Sequence, residues 1–431
     1  MPLDLSEPLK LPCGAVLPNR LAKAAMTEGL ADAMNRATDR HVRLYKRWAE
    51  GGAGLLLTGN VQVDRTHLER PGNIAIDNNG GLDALKAMAT AGTCNGNHLW
   101  MQINQPGRQT PASVNPKPLA PSAVPVAVAE AGCGDPVEMT EAQILDVIKR
   151  FVHTATVARD CGFTGVQIHS AHGYLMSQFL SPLSNRRRDA WGGSLENRAR
   201  ALLEVIRGTR KAVGNDFPIA VKLNSADFQK GGFTEDESMQ VVRWLGEAGI
   251  DLLEISGGNY EQMNMVGHPE DPAADKKPVA ESTRRREAYF LDYATKVRPI
   301  ATMPLMITGG FTARQSMLDA LNAEELDVVG LARPLSSDRE LCRKLLNGEA
   351  QTAPRPELAM VLDRAPLGPV DDRTYRLMGV WAEVAWASMQ MIRMGDGKDP
   401  DLKMTLLEAL GSYDANERAA AEAYHGALGT R

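Results

Sequence analysis

Short apolar runs recur along the chain, and each ends in polar residues or glycine. Eight stand out: Arg20–Ala25, Ala53–Gly59, His98–Asn104, Gly165–His169, Ile219–Asn224, Asp251–Ser256, Pro304–Thr308 and Asp327–Leu331. Their nearly continuous apolar character predicts strands buried on both faces. Between them the hydrophobic period changes to that of amphipathic helices. Asp39–Glu50 is one such stretch, and Asn197–Val213 is another. Thr140-x-x-Gln143 has capping-box spacing and predicts a helix over Thr140–Cys161. Thr234-x-x-Glu237 opens a helix running to Ala248, and Thr312-x-x-Gln315 opens one after the seventh strand. Strands alternating with helices in this way predict an α/β chain folded as a (β/α)8 TIM barrel. A doubly wound open sheet is the alternative reading of the same alternation.

Leu9–Leu17 predicts a short N-terminal hairpin closing the barrel floor. Beyond Glu349 the pattern changes: Met378–Ile392 reads as an apolar helix, and Leu402–His425 contains a further helical stretch. This divides the chain into a barrel over 1–349 and a helical C-terminal extension over 350–431. The extension would pack on the barrel or on a partner subunit, and in the second case would form the interface of a homo-oligomer. Two connections, Pro106–Met139 and Asn259–Ser282, are long and leave the carboxyl ends of strands. Loops there commonly shape a substrate site.

Composition narrows the function. The 431 residues carry a formal net charge of −5, with no basic stripe for nucleic acid. The five cysteines (Cys13, Cys94, Cys133, Cys161 and Cys342) are scattered without a C-x-x-C pair. This fits reduced thiols rather than a disulfide framework, a zinc ribbon or an iron–sulfur cluster. Met1–Lys10 has no apolar core of a signal peptide, and no apolar run is long enough to span a bilayer. The expectation is a cytoplasmic enzyme with a small-molecule partner and neither nucleic acid nor membrane.

A barrel reading tests itself at the strand carboxyl ends, where catalytic groups should gather. Met26 and Thr27 follow the first strand; Gly59 and Asn60 follow the second; Gln102 and Asn104 close the third. Lys222 and Asn224 end the fifth, and Ser256, Gly257 and Gly258 the sixth. The fourth strand runs into His169-Ser170-Ala171-His172-Gly173-Tyr174. Two imidazoles can hold an oxygen that gains negative charge, and a phenol can deliver a proton. H-x-x-H could also bind zinc, but no third ligand is near and the H-E-x-x-H pattern is absent, so no metal is expected. Gly309-Gly310 before a helix start, with Arg333 after strand eight, suits a phosphate. Those glycines could instead merely permit a tight turn. Lys222 could stabilise a negatively charged ring or pair with a buried carboxylate. It could also serve as the nucleophile of a Schiff-base aldolase.

These residues resemble the Old Yellow Enzyme family of FMN-dependent ene-reductases. The resemblance runs from Leu9 to Asn347 and rests on HSAHGYLMSQFLSPLSNRRRDAWGGSLENR (His169–Arg198). MQINQPGRQ (Met101–Gln109), VKLNSADF (Val221–Phe228) and ITGGF (Ile307–Phe311) support it in order and spacing. The chain looks closer to the thermophilic-like, YqjM-like branch than to the yeast branch.

The resemblance implies FMN at the barrel mouth, its phosphate at Gly310, Ala332 and Arg333. Ala25, Met26, Thr27, Gly59 and Gln102 would line the ring, and Lys222 would face its N1/O2 edge. His169 and His172 match the pair that binds the substrate oxygen, and Tyr174 matches the proton donor. NADPH or NADH would be the reductant. The oxidant would be an α,β-unsaturated carbonyl or nitro compound, hydride going from flavin N5 to its β-carbon and a proton from Tyr174 to its α-carbon. A flavin-binding module with a different oxidant is the other reading. Thr27 stands where the closest branch often has cysteine. Glu28 and Gly29 replace a tyrosine-bearing segment that often touches substrate, and Gln105 stands where histidine is frequent.

Overall fold

The computed structural model describes residues 2–128, 132–257 and 290–429. Eight parallel strands close into a barrel. They are β1 (Leu21–Lys23), β2 (Leu55–Gln62), β3 (His98–Asn104), β4 (Gly165–Ser170), β5 (Ile219–Asn224), β6 (Leu252–Ser256), β7 (Leu305–Thr308) and β8 (Val328–Leu331). Every neighbour in the barrel is also the neighbour in sequence, and β8 closes onto β1 through Val329 opposite Leu21. The open-sheet alternative is therefore excluded. β2 runs past Gly59 because a bulge between Leu57 and Asn60 lets pairing with β3 resume.

Side chains alternate across each strand, which creates two cores. The larger lies between the barrel wall and the helices. The smaller is a plug inside the barrel: Ala22, Leu55, Leu57, Trp100, Ala220, Leu252, Met306 and Val328. Gly165 is the reason Trp100 fits, since a Cβ there would lie 2.5 Å from the indole. Leu9–Lys10 pairs antiparallel with Val16–Leu17, and Leu9, Leu11 and Leu17 pack under the plug. The expected floor is thus present.

The outer helices are α1 (Asp39–Glu50), α2 (Leu82–Gly92), α3 (Glu141–Asp160), α4 (Leu175–Leu180), α5 (Leu195–Val213), α6 (Glu235–Glu247) and α7 (Arg314–Asn322). Thr140 and Thr234 form the expected capping boxes. Thr312 does not. The N-cap of α7 is Ala313, without a side-chain cap. The chain at residues 351–353 takes that place: Ala353 N–H donates to the Thr312 carbonyl and Arg314 N–H to that of Gln351. Helix α2 is additional to the expected helices. It starts from left-handed Gly81, with no polar cap to announce it.

Beyond the barrel, α8 (Asp372–Gly395) and α9 (Leu406–Leu428) pack together around Trp386, Ala382, Leu406 and Ala409. They dock on the barrel of their own chain. Met391, Ile392 and Met394 join the outer core. From α1, Arg43 Nε donates to the Gly395 carbonyl at 2.8 Å, and Arg40 pairs with Asp396 at 2.6 Å. Among the described residues, no helix is long and apolar enough to cross a membrane.

Candidate active site

On five of the eight strands, β3 to β7, the interior position above the plug is polar. Two residues past the plug come Gln102 on β3, Gln167 on β4, Lys222 on β5, Glu254 on β6 and Thr308 on β7. Two further on come Asn104, His169, Asn224 and Ser256. Strand periodicity stacks apolar plug, polar layer and barrel mouth in that order.

The polar layer is one connected network. Glu254 is fully buried and accepts three hydrogen bonds. They come from Lys222 Nζ at 2.8 Å, Thr308 Oγ1 at 2.7 Å and Gln167 Nε2 at 2.7 Å. Gln167 Oε1 in turn accepts from Gln102 Nε2 at 2.6 Å. Sequence reasoning singles out Lys222 and Gln102 but misses Glu254, Gln167 and Thr308. The available signal is a lone carboxylate in the apolar run Leu252-Leu253-Glu254-Ile255, in phase with the plug residue Leu252. Lys222 is thus paired with a buried carboxylate, and the aldolase reading gains no support.

His169, His172 and Tyr174 come together at the end of β4. The two imidazole centroids are 5.0 Å apart, and the Tyr174 ring stands edge-on to His169 at 4.8 Å. His172 (φ 60°) and Gly173 (φ 77°) are successive left-handed residues, and they turn the chain sharply to bring Tyr174 back beside His169. His169 Nδ1 accepts from Ala171 N–H at 3.2 Å, and His172 Nε2 lies 2.6 Å from Ser256 Oγ. Burial, first of all, holds both imidazoles well below the usual histidine pKa. The neighbouring Lys222 charge acts in the same direction on both, and His172 adds to it for His169. Both rings are neutral at pH 7. The loop after β3 braces this turn: Gln109 Nε2 donates to the His172 carbonyl, and the Gln105 carbonyl accepts from Leu175 N–H. Gln105 also accepts from Gly107 N–H, so its role is structural.

Across the mouth, Thr27 Oγ1 donates to Glu69 Oε2 at 2.8 Å, and Asn60 Nδ2 donates to the same oxygen at 2.7 Å. Glu28 turns into the wall. It binds the Tyr45 hydroxyl and accepts from Gly59 N–H at 2.9 Å, so it does not take the place of a substrate-facing tyrosine. Gly59 must be glycine, because a Cβ would fall 2.6 Å from the Met26 carbonyl. Ala25 and Met26 lie partly buried on the same stretch, directly after β1.

Gly309 (φ 88°) and Gly310 (φ 91°) end β7, and Ala332 and Arg333 end β8. The two loops are neighbours because Thr308 pairs with Gly330. Arg333 Nη1 lies 3.3 Å from Glu383 Oε2 of α8, which brings the extension to this end of the site. Gly258, Asn259–Ser282 and Arg284–Arg286 lie outside the described residues. Among the described residues, both amide atoms of buried Asn104 and Oδ1 of buried Asn60 have no hydrogen-bond partner. Buried amides seldom stay so, and at the mouth Gln102 and Lys222 present an amide and an ammonium beside the glycine turn Gly309–Gly310 and Arg333. The donor set therefore fits FMN.

Residues 4–352 match the NADH:flavin oxidoreductase / NADH oxidase family. The chain belongs to this family. It is an FMN-dependent NAD(P)H oxidoreductase, and the resemblance drawn from its motifs holds at that level. It is 37% identical over 351 residues to NADH-dependent flavin oxidoreductase iliE of Neonectria sp. (strain DH2), covering 77% of this chain and 45% of that protein. NADH-dependent flavin oxidoreductase iccE of Talaromyces variabilis is also 37% identical over 351 residues, covering 77% of this chain and 84% of that one. A solved 2-naphthoyl-CoA reductase superposes with a TM-score of 0.73 at 27% identity, covering 81% of this chain and 53% of that one. The Old Yellow Enzyme homologue from Zymomonas mobilis shares the fold, with a TM-score of 0.68 at 22% identity over 81% of this chain and 94% of that one.

Proposed function

We propose that this oxidoreductase is an ene-reductase acting on small α,β-unsaturated carbonyl or nitro compounds, with NADH as reductant. The observation that carries this reading is the cluster of two neutral imidazoles and a phenol at the end of β4. It adjoins the polar layer, since His169 is registered opposite Lys222. FMN, when bound, supplies the hydride to the substrate β-carbon. Ala25, Met26, Thr27, Gly59, Gln102 and Lys222 hold its ring, and Gly310, Ala332 and Arg333 its phosphate.

The chain's own residues do the polar work. His169 and His172 donate to the substrate oxygen, and each good donor to a developing oxyanion contributes about 3 kcal/mol. Neutral donors suit this role because they polarise the oxygen without releasing a full proton to it. Tyr174, beside His169, delivers the proton to the α-carbon. The NADH preference rests on the names of both sequence relatives.

Turnover of cyclohexenone with NADH deuterated at the transferable position tests the reading. Deuterium at the β-carbon of cyclohexanone is expected, with the α-proton from solvent. Label appearing only in water, without ketone product, would contradict it.

A further inference from the structure

The family resemblance gives Lys222 and Gln102 roles toward the flavin but gives none to Glu254. We propose that Glu254 is a positioning residue that cancels the charge of Lys222 and fixes which end of the Gln102 amide meets the cofactor. This deepens the FMN reading above and rests on it.

A carboxylate only accepts, and three donors converge on Glu254: an ammonium, a hydroxyl and an amide N–H. That saturates a fully buried charge, which would otherwise be strongly unfavourable. Because Glu254 accepts, Gln167 must present its NH2 to it and its carbonyl to Gln102. Gln102 must then spend an N–H on Gln167. The orientation of two amides, normally a matter of assignment, is dictated by one carboxylate. Gln102 keeps its carbonyl oxygen for a ligand, which suits the N3–H of an isoalloxazine.

The electrostatic consequence follows from register. Lys222 and Glu254 are paired positions on adjacent strands, so the layer beneath the ring carries an ion pair of zero net charge. A lone ammonium would favour the anionic reduced ring. The pair withholds most of that stabilisation and keeps the bound flavin a stronger hydride donor.

The test is the two-electron potential of bound FMN, measured in the full-length holoprotein together with FMN affinity and thermal melting. Glu254→Gln removes the negative charge at constant shape. It should favour the reduced form at least about tenfold, a rise of about 30 mV. Adding Lys222→Met to that variant should return the potential to within about threefold of wild type. A Glu254→Gln protein that binds FMN, melts as wild type and keeps the wild-type potential would overturn the inference alone. Wild-type protein that takes up no FMN would overturn the underlying reading as well. Where Glu254→Gln alone does not fold, the double variant decides: its potential should lie within about threefold of wild type, whereas a tenfold or greater fall would refute charge cancellation.

Discussion

His169 Nδ1 accepts a hydrogen bond from the backbone N–H of Ala171 at 3.2 Å. A neutral imidazole has one proton, so that bond places it on Nε2. Burial, reinforced by His172 and Lys222, keeps the ring from gaining a second proton near neutrality. The enone-dependent kcat/KM should therefore stay flat as pH falls through about 6.5, the ordinary histidine pKa. A pH–rate profile checks this, and an acid limb centred there would show that His169 or His172 titrates normally.

Donor loss should be graded by chemistry. His169→Ala removes one donor to the substrate oxygen and should cost roughly 10²–10³ in the rate of flavin reoxidation by enone. His169→Asn retains an N–H and should lose less. Equal losses in the two variants, followed by stopped flow, would argue against a hydrogen-bonding role.

Tyr174→Phe separates the two half-reactions. Reoxidation by enone should slow by about 10²–10⁴-fold, while reduction by NADH proceeds at nearly the wild-type rate. Rapid-mixing traces of each half-reaction are the readout. Equal slowing of both would remove the proton from Tyr174.

Stability should fall on the acid side for a reason in the fold. His41 is fully buried, and its pKa is lowered to about 4 by burial. The unfolded chain binds its proton first, so stability is lost as pH drops from about 6.5 towards 4. His41 alone accounts for about 3 kcal/mol over that window. His169 and His172 shift in the same direction. Asp64, lowered to about 2, adds its own loss only at lower pH, while Asp227 and Glu325, raised by burial, act in the opposite direction. Urea denaturation at pH 7.5 and 5 should show the decline, and pH-independent midpoints would contradict it.

The extension should be energetically tied to the barrel mouth. Arg70, in the loop that carries Glu69, is buried, pairs with Glu417 of α9 and lies 4.8 Å over the Tyr413 ring. Glu417→Ala leaves that guanidinium without its carboxylate and should destabilise by roughly 1–3 kcal/mol, discounted for the partial exposure of Glu417. An unchanged melting curve would mean that α9 docks without this pair.

Much of the fold is legible in the chain because strand and helix periods differ and barrel chemistry sits at strand ends. The eight apolar runs locate all eight strands, and His169, His172, Tyr174, Lys222 and Gln102 stand out by position alone. What escapes has no local signature. Helix α2 lacks a polar cap, and Thr312 loses its capping role to a segment some forty residues on. Glu254 reads as an anomaly within a strand until three other strands supply its donors. Glu28 shows the converse: it sits in a segment where the resemblance leads one to expect a substrate contact, yet the Tyr45 hydroxyl and Gly59 N–H draw it into the wall.

The most direct test of the central claim is an anaerobic visible spectrum of the purified holoprotein, taken as NADH and then cyclohexenone are added. The flavin band should bleach with NADH and return in full with the enone. A band that bleaches and stays bleached would leave the flavin chemistry intact while contradicting an unsaturated carbonyl as the oxidant.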